Sequence, residues 1–254
     1  DALAEKIKEI EANNDLTVEE KAKAKAEAKA KADAAKDAID NATTNAEVNQ
    51  AQSTGTTEVK AVNPDAVAKT AAKGAIDEAL KAKTDEIDSR TDLTDEEKIV
   101  AKLDAKAKAD AAKEAIDKAT TDAEVNQAQS TGTIELKAID PQPVAKSAAK
   151  QAIDEALKAK TAEIDARTDL TDEEKTAAKA EAKAKADAAK EAIDKATTNA
   201  AVAQSKSTGI TEVKAVNPDA VAKTEANKAI DDALKAKTVE IDARTDLTDE
   251  EKTA

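Results

Sequence analysis

The chain has 254 residues, a net charge of −14, and no Phe, Trp, Tyr, Met, Cys or His. Leu, Ile and Val number only 10, 15 and 13 against 64 Ala, which excludes a single broad hydrophobic core, disulfides, soft-metal sites and aromatic stacking platforms. The acidic balance argues against nucleic acid or anionic lipid as partners, and no apolar run approaches the ~18 residues of a membrane span.

So few large apolar residues beside so much charge is a signature of disorder. Against it stands the helix preference of Ala, Lys and Glu, all three of which are depleted in strands. Residues 21–36, "KAKAKAEAKAKADAAK", alternate as a half-buried strand would, yet their types favour helix. Isolated helices are marginal in water, so caps and apolar spacing have to decide.

A period of 77 organises the chain: Leu16, Leu93, Leu170 and Leu247 share it, as do Gly55, Gly132 and Gly209, and Pro64, Pro141 and Pro218. The copies divide as 1–63 (N-terminally truncated), 64–140, 141–217 and 218–254 (C-terminally truncated), although counting from Thr17 fits the same residues. In chain order, residues 1–15 align with 78–92 and form the end of a first-type helix. A capping box, Thr17 with Glu20, then starts a second helix; it recurs as Thr94/Glu97, Thr171/Glu174 and Thr248/Glu251. Acids in that first turn suit the positive end of the helix dipole.

The next segment, "TNAEVNQAQSTGTTEVKAVN", is rich in Thr and carries a central Gly, so a strand or loop from Ser53 is a rival reading. The 4-3-4-3 spacing of Val48, Gln52, Gly55, Val59 and Val62 favours helix, as does the capping box Thr44/Glu47, kept at Thr121/Glu124 and lost where Ala201 replaces Glu. Gly55 then lies on a closely packed seam. A complete first-type helix is predicted from Pro64 to Arg90, with Asn63 as N-cap, Pro64 at N1, and a stripe of Val67, Ala72, Ile76, Ala79, Leu80 and Ile87. In the following copy Ile99 and Leu103 replace Ala22 and Ala26, an i, i+4 enlargement that suits a helix. Ala105, Ala109, Ala112, Ile116 and Ala119 continue as a small-residue seam.

No nucleophile–base pair, metal-ligand set or phosphate loop is present, so no enzymatic activity, metal or cofactor is expected. "DLTDEE" lacks the spacing of a calcium loop, and the cap explains its acids. Ile99, Val100 and Leu103 stand where other copies carry small or polar residues; local core filling is the favoured reading and a docking patch the rival. Asn41-Ala42-Thr43 fits a glycosylation sequon but occurs in one copy only, which favours chance.

The motifs "AIDEALKAKTxEIDxRTDLTDEEK", "AKEAIDKATT" and "VNQAQSTGTxEVKAVNP" resemble the helical tandem repeats, a domain of unknown function, of long Gram-positive cell-wall-anchored surface proteins, including giant extracellular-matrix-binding proteins. The resemblance covers essentially the whole chain and carries no catalytic residues. It implies a secreted, wall-attached stalk linked with adhesion.

The expected fold is all-α, with tandem three-helix bundles stacked end to end into an elongated rod advancing ~30–35 Å per copy. The chain lacks a signal peptide or initiator Met and reads as an internal fragment. Its expected role is a spacer holding an adhesive domain away from the wall, with neighbouring repeats of the same chain as partners and a monomeric state. The alternative is a module binding a host extracellular protein such as albumin, immunoglobulin or a matrix component; a third reading is a chain disordered in water.

Overall fold

The computed structural model describes residues 2–253, the side chains of Glu251 and Lys252 excepted. These residues form eleven helices and no strand: α1 (Ala2–Ala12), α2 (Val18–Asp40), α3 (Asn45–Lys60), α4 (Val67–Ser89), α5 (Asp95–Lys118), α6 (Asp122–Lys137), α7 (Val144–Ala166), α8 (Asp172–Lys195), α9 (Asn199–Ala215), α10 (Val221–Asp242) and α11 (Asp249–Thr253). They fall into two compact units, residues 1–90 with 97–141, and residues 91–96 with 142–254.

In the first unit, α1 and α2 pack with α3, and α4 packs along α6. In the second, α7, α8 and α9 pack pairwise. The core of that bundle is built from Ala149, Ile153, Ala186, Ala189, Ile193 and Val213, so each large side chain is surrounded by alanines. Methyl-sized neighbours allow backbones to approach closely, which compensates for the scarcity of large apolar groups.

The alternating stretch in α2 is helical. One small-residue face is buried through Ala24, Ala28 and Ala32, and the seam predicted at Ala105, Ala109, Ala112, Ile116 and Ala119 is buried throughout. Outward lysines make ion pairs such as Lys29–Asp33, Lys106–Asp110 and Lys183–Asp187. Exposed i, i+4 pairs of this kind add a few tenths of a kcal/mol each at most; burial of the alanine face decides the conformation.

The Thr-rich third segment is helical in all three copies, and the capping boxes at Thr17/Glu20, Thr44/Glu47, Thr121/Glu124 and Thr171/Glu174 are formed. Thr198 caps α9 alone, donated to by the Ala201 N–H. The Thr248/Glu251 box involves a side chain outside the described residues. One expectation fails: α4 starts at Val67, three residues after Pro64. Its N-cap is Ala66, which makes no side-chain cap, so Asn63 is not the N-cap. Likewise α7 and α10 follow Pro143 and Ala220 with no cap of their own. For α4 and α10 the missing cap comes from elsewhere in the same unit.

A Cβ on Gly132 would lie 2.3 Å from the Ala112 Cβ and 3.0 Å from the Ile76 Cδ1, whereas one on Gly74, inside α4, would meet nothing within 4 Å. The two glycines therefore predict opposite signs. Gly74→Ala should stabilise by ~0.5–1 kcal/mol through helix propensity. Gly132→Ala should destabilise by ~1–3 kcal/mol through overpacking, despite the same propensity gain. Thermal or urea unfolding of both variants checks this; equal signs would disprove the seam.

Candidate functional site at the repeat joints

Among the described residues no group of His, Cys, Asp and Glu is placed to hold a metal ion, and no helix is long and apolar enough to cross a membrane. Polar chemistry gathers instead where one copy meets the next. In the first unit, the Glu20 carboxylate accepts from its own N-cap, the Thr17 N–H, at 3.0 Å through Oε2. Through Oε1 it accepts from the Ala68 N–H, in the uncapped first turn of α4, at 2.9 Å. One carboxylate thus serves two helix N-termini, and α4 needs no cap of its own.

Its neighbour Glu19 accepts from the Asp122 N–H at the start of α6 (3.1 Å), while the Val18 N–H donates to the Thr120 carbonyl (2.8 Å). The second unit repeats these contacts. The Asn199 N–H donates to Glu96 (2.9 Å), the Asp95 N–H to the Thr197 carbonyl (2.6 Å), and the Thr94 hydroxyl to Asn199 Oδ1 (2.8 Å). The Ala222 N–H, at the start of α10, donates to Glu174 Oε1 at 3.0 Å.

Buried lysines hold the complementary carbonyls. Lys69 Nζ donates to the Asn14 carbonyl (2.9 Å) in the preceding turn and to the Asp117 carbonyl (2.8 Å) near the end of α5. Lys146, 4% exposed, does the same with Thr91 and Asp194 at 2.8 Å each. An ammonium suits this place because helix C-terminal carbonyls carry negative partial charge. Lys83, also buried, donates to the carbonyls of Lys137 and Ile139 at the end of α6. The arginines brace the same region: Arg90 pairs with Asp140 (3.3 Å) and donates to the Pro141 carbonyl, and Arg167 donates through Nε to Asp169 at 2.7 Å.

These bonds set the acidities. Burial pushes the Glu20 carboxyl up, but the N–H donations of Ala68 and Thr17 outweigh it and leave the group below the usual range. The Ala222 and Thr171 N–H groups lower Glu174 likewise. The guanidinium of Arg167 holds Asp169 down at about 2.

Ile99, Val100 and Leu103 are 54%, 67% and 62% exposed, on the face of α5 opposite its alanine seam. Core filling is therefore incorrect, because the places where Ala22 and Ala26 are enlarged point to solvent. The functional contacts that the sequence reading omitted are the joint lysines and the outward role of the capping glutamates. The one sequence signal for them is a Lys two residues after Val67, Val144 and Val221 in every copy, five residues beyond Pro64, Pro141 and Pro218.

Two predictions follow from the joint. Lys146→Met keeps most of the stem but removes the donor from two partly buried carbonyls, and should lower stability by ~1 kcal/mol by chemical unfolding. The lowered carboxyl values mean that the unfolded chain binds protons first as pH falls. The stability from Glu20 and Glu174 is complete above the usual 4.5 and is lost as pH drops through their folded values. The melting temperature should fall with acidification below that value, less steeply in a Glu20→Gln, Glu174→Gln double variant; identical slopes would disprove the sharing of charge.

Neither the curated proteins nor the solved structures give a match. A family model for a domain of unknown function, DUF1542, matches residues 1–67, 68–144 and 145–221 in tandem. Three consecutive matches over most of the chain, on a helical repeat whose joints recur residue for residue, place it: the chain belongs to the DUF1542 family.

Proposed function

We propose that the chain is a spacer segment of an extracellular, cell-wall-anchored bacterial surface protein, whose role is to hold a distal adhesive domain away from the wall. The observation that carries this reading is the joint, in which the turn of one copy is the missing helix cap of the next. Copies so connected have no free linker between them, and the connection uses backbone groups and side chains present in every copy. A repeat built this way offers length that scales with copy number. Its surface lacks the Trp and Tyr anchors that dominate binding hot spots. In the parent protein, replacing these copies with an unrelated helical rod of equal length should preserve adhesion, and deleting them should abolish or weaken it. Loss of adhesion on equal-length replacement would overturn the spacer reading.

One observation favours a second reading, recognition of a host extracellular protein: Ile99, Val100 and Leu103 form an exposed apolar patch in one copy only. Because these side chains project into solvent, changing all three to Ala should alter stability by no more than ~0.5 kcal/mol per site. If the patch is a binding site, the same variant should abolish saturable binding of albumin, immunoglobulin or a matrix protein measured by calorimetry. Binding unaffected by the change, or absent in the parent chain, disposes of this reading.

A further inference from the structure

We propose that the Asp140–Pro141 peptide bond is a self-cleavage site: in acid the Asp140 carboxyl attacks its own main-chain carbonyl and expels the Pro141 nitrogen, and the ion pair with Arg90 restrains this reaction. The proposal stands independently of the spacer reading. It rests on one substitution between copies and on the way the joint holds that residue.

The three corresponding joints read Asn63–Pro64, Asp140–Pro141 and Asn217–Pro218, so Asp–Pro occurs once in the chain. The arginine brace does not need the acid. Asn217 Oδ1 accepts from Arg167 Nη1 at 3.3 Å, and Asp140 Oδ1 accepts from Arg90 Nη1 at the same distance. What the carboxyl adds over the amide is a nucleophilic oxygen and a transferable proton.

The surroundings suit that chemistry. Residues 139–143 are non-helical and the Asp140 side chain is 73% exposed, so water and acid reach it. Proline keeps the residue before it extended and has no N–H. The Pro141 nitrogen therefore donates no backbone hydrogen bond, and the competing reaction of aspartate, attack of the following N–H on the side chain, is closed. The flanking carbonyls are held. Lys83 Nζ donates to that of Ile139 at 3.1 Å, and Arg90 Nη2 to that of Pro141 at 3.2 Å. Two reacting groups within one residue, on fixed flanks, lose little entropy on reaching the transition state.

In the first step a side-chain oxygen of Asp140 forms a bond to the Asp140 carbonyl carbon, closing a cyclic anhydride. The C–N bond to Pro141 breaks, and its electron pair takes up the carboxyl proton, leaving a free secondary amine. Water then opens the anhydride, restoring the side-chain carboxyl beside a new C-terminal one. Arg90 opposes the first step by engaging Oδ1, which must be released before the carboxyl can carry a proton and turn to its own carbonyl. The other charged side chains of the elements meeting here are Lys83 with its partner Glu86 on α4, and Lys137 at the end of α6.

A cut at this bond leaves its products joined. Residues 91–96 belong to the second unit together with 142–254, where Glu96 receives the Asn199 N–H and Lys146 reaches the Thr91 carbonyl. Cleavage thus exchanges a covalent joint for a hydrogen-bonded one.

Incubation of the full chain at mildly acidic pH, with circular dichroism confirming that the helices persist, tests the proposal. Intact mass and denaturing electrophoresis should show residues 1–140 and 141–254, whose masses together exceed the parent by one water. On a sizing column without denaturant the two should elute together; their separation there would overturn the hydrogen-bonded joint. Asp140→Asn installs the residue of the other two joints and should slow the cut by at least about a hundredfold, because nucleophile and proton donor are both lost. Arg90→Gln should speed it about two- to fivefold, the range set by a partly exposed ion pair; a rate no faster than the parent's would overturn the restraint. A parent chain that stays intact while folded, or is cut at this bond only after helicity is lost, overturns the proposal. So do equal rates in the parent and the Asp140→Asn variant.

Discussion

A carboxylate shared between two helix N-termini is the contact on which the rest of the structure depends. Glu20 closes the cap of α2 with one oxygen and receives the first turn of α4 with the other. An isolated α4 would begin with orphan N–H groups and no capping side chain. The start of that helix is thus satisfied only when the preceding copy is in place, and the start of α10 depends on Glu174 in the same way. Thr17, at the centre of this contact, is fully buried, so the hydrogen bonds operate away from competing water, where they are strongest and where an unmade one costs most.

The lysines complete the same arrangement with the opposite charge. At each joint, glutamates meet helix starts and an ammonium meets a helix end, so both signs of the helix dipole are compensated within a few ångströms. The alkyl stems of Lys69 and Lys146 are buried, and in a chain with so few large apolar residues these stems act as part of the hydrophobic core. Charge composition and core composition are therefore not separate properties here.

Much of the fold is legible in the residues. The 77-residue period, the capping boxes and the alanine and glycine seams lie in local patterns that periodicity and spacing expose, and they correspond to buried faces in α2, α5 and α6. The start of α4 is less legible, because Asn63 and Pro64 look like a sound N-cap and N1 while the real cap is supplied by a residue more than forty positions earlier. Ile99 and Leu103 mislead for a related reason. An i, i+4 apolar pair marks a helix face without saying whether that face points inward, and in α5 the inward face is already filled by alanine. Cross-copy partners such as Lys146 with Thr91 and Asp194 leave no local pattern, since each group is unremarkable among its own sequence neighbours.

An alanine core also has a thermal consequence. The heat-capacity change of unfolding scales with newly exposed apolar area, and methyl groups packed against methyl groups contribute little of it per residue. A small heat-capacity change flattens the curve of stability against temperature. The folded repeats then gain little from the temperature at which their stability is greatest, but they also lose little on either side of it. For a chain whose core is mostly Ala, such as the cluster around Ile153 and Ile193, cooling weakens the native state less than it would a protein held by Leu and Phe. Low-temperature unfolding is displaced correspondingly further from the range in which water is liquid.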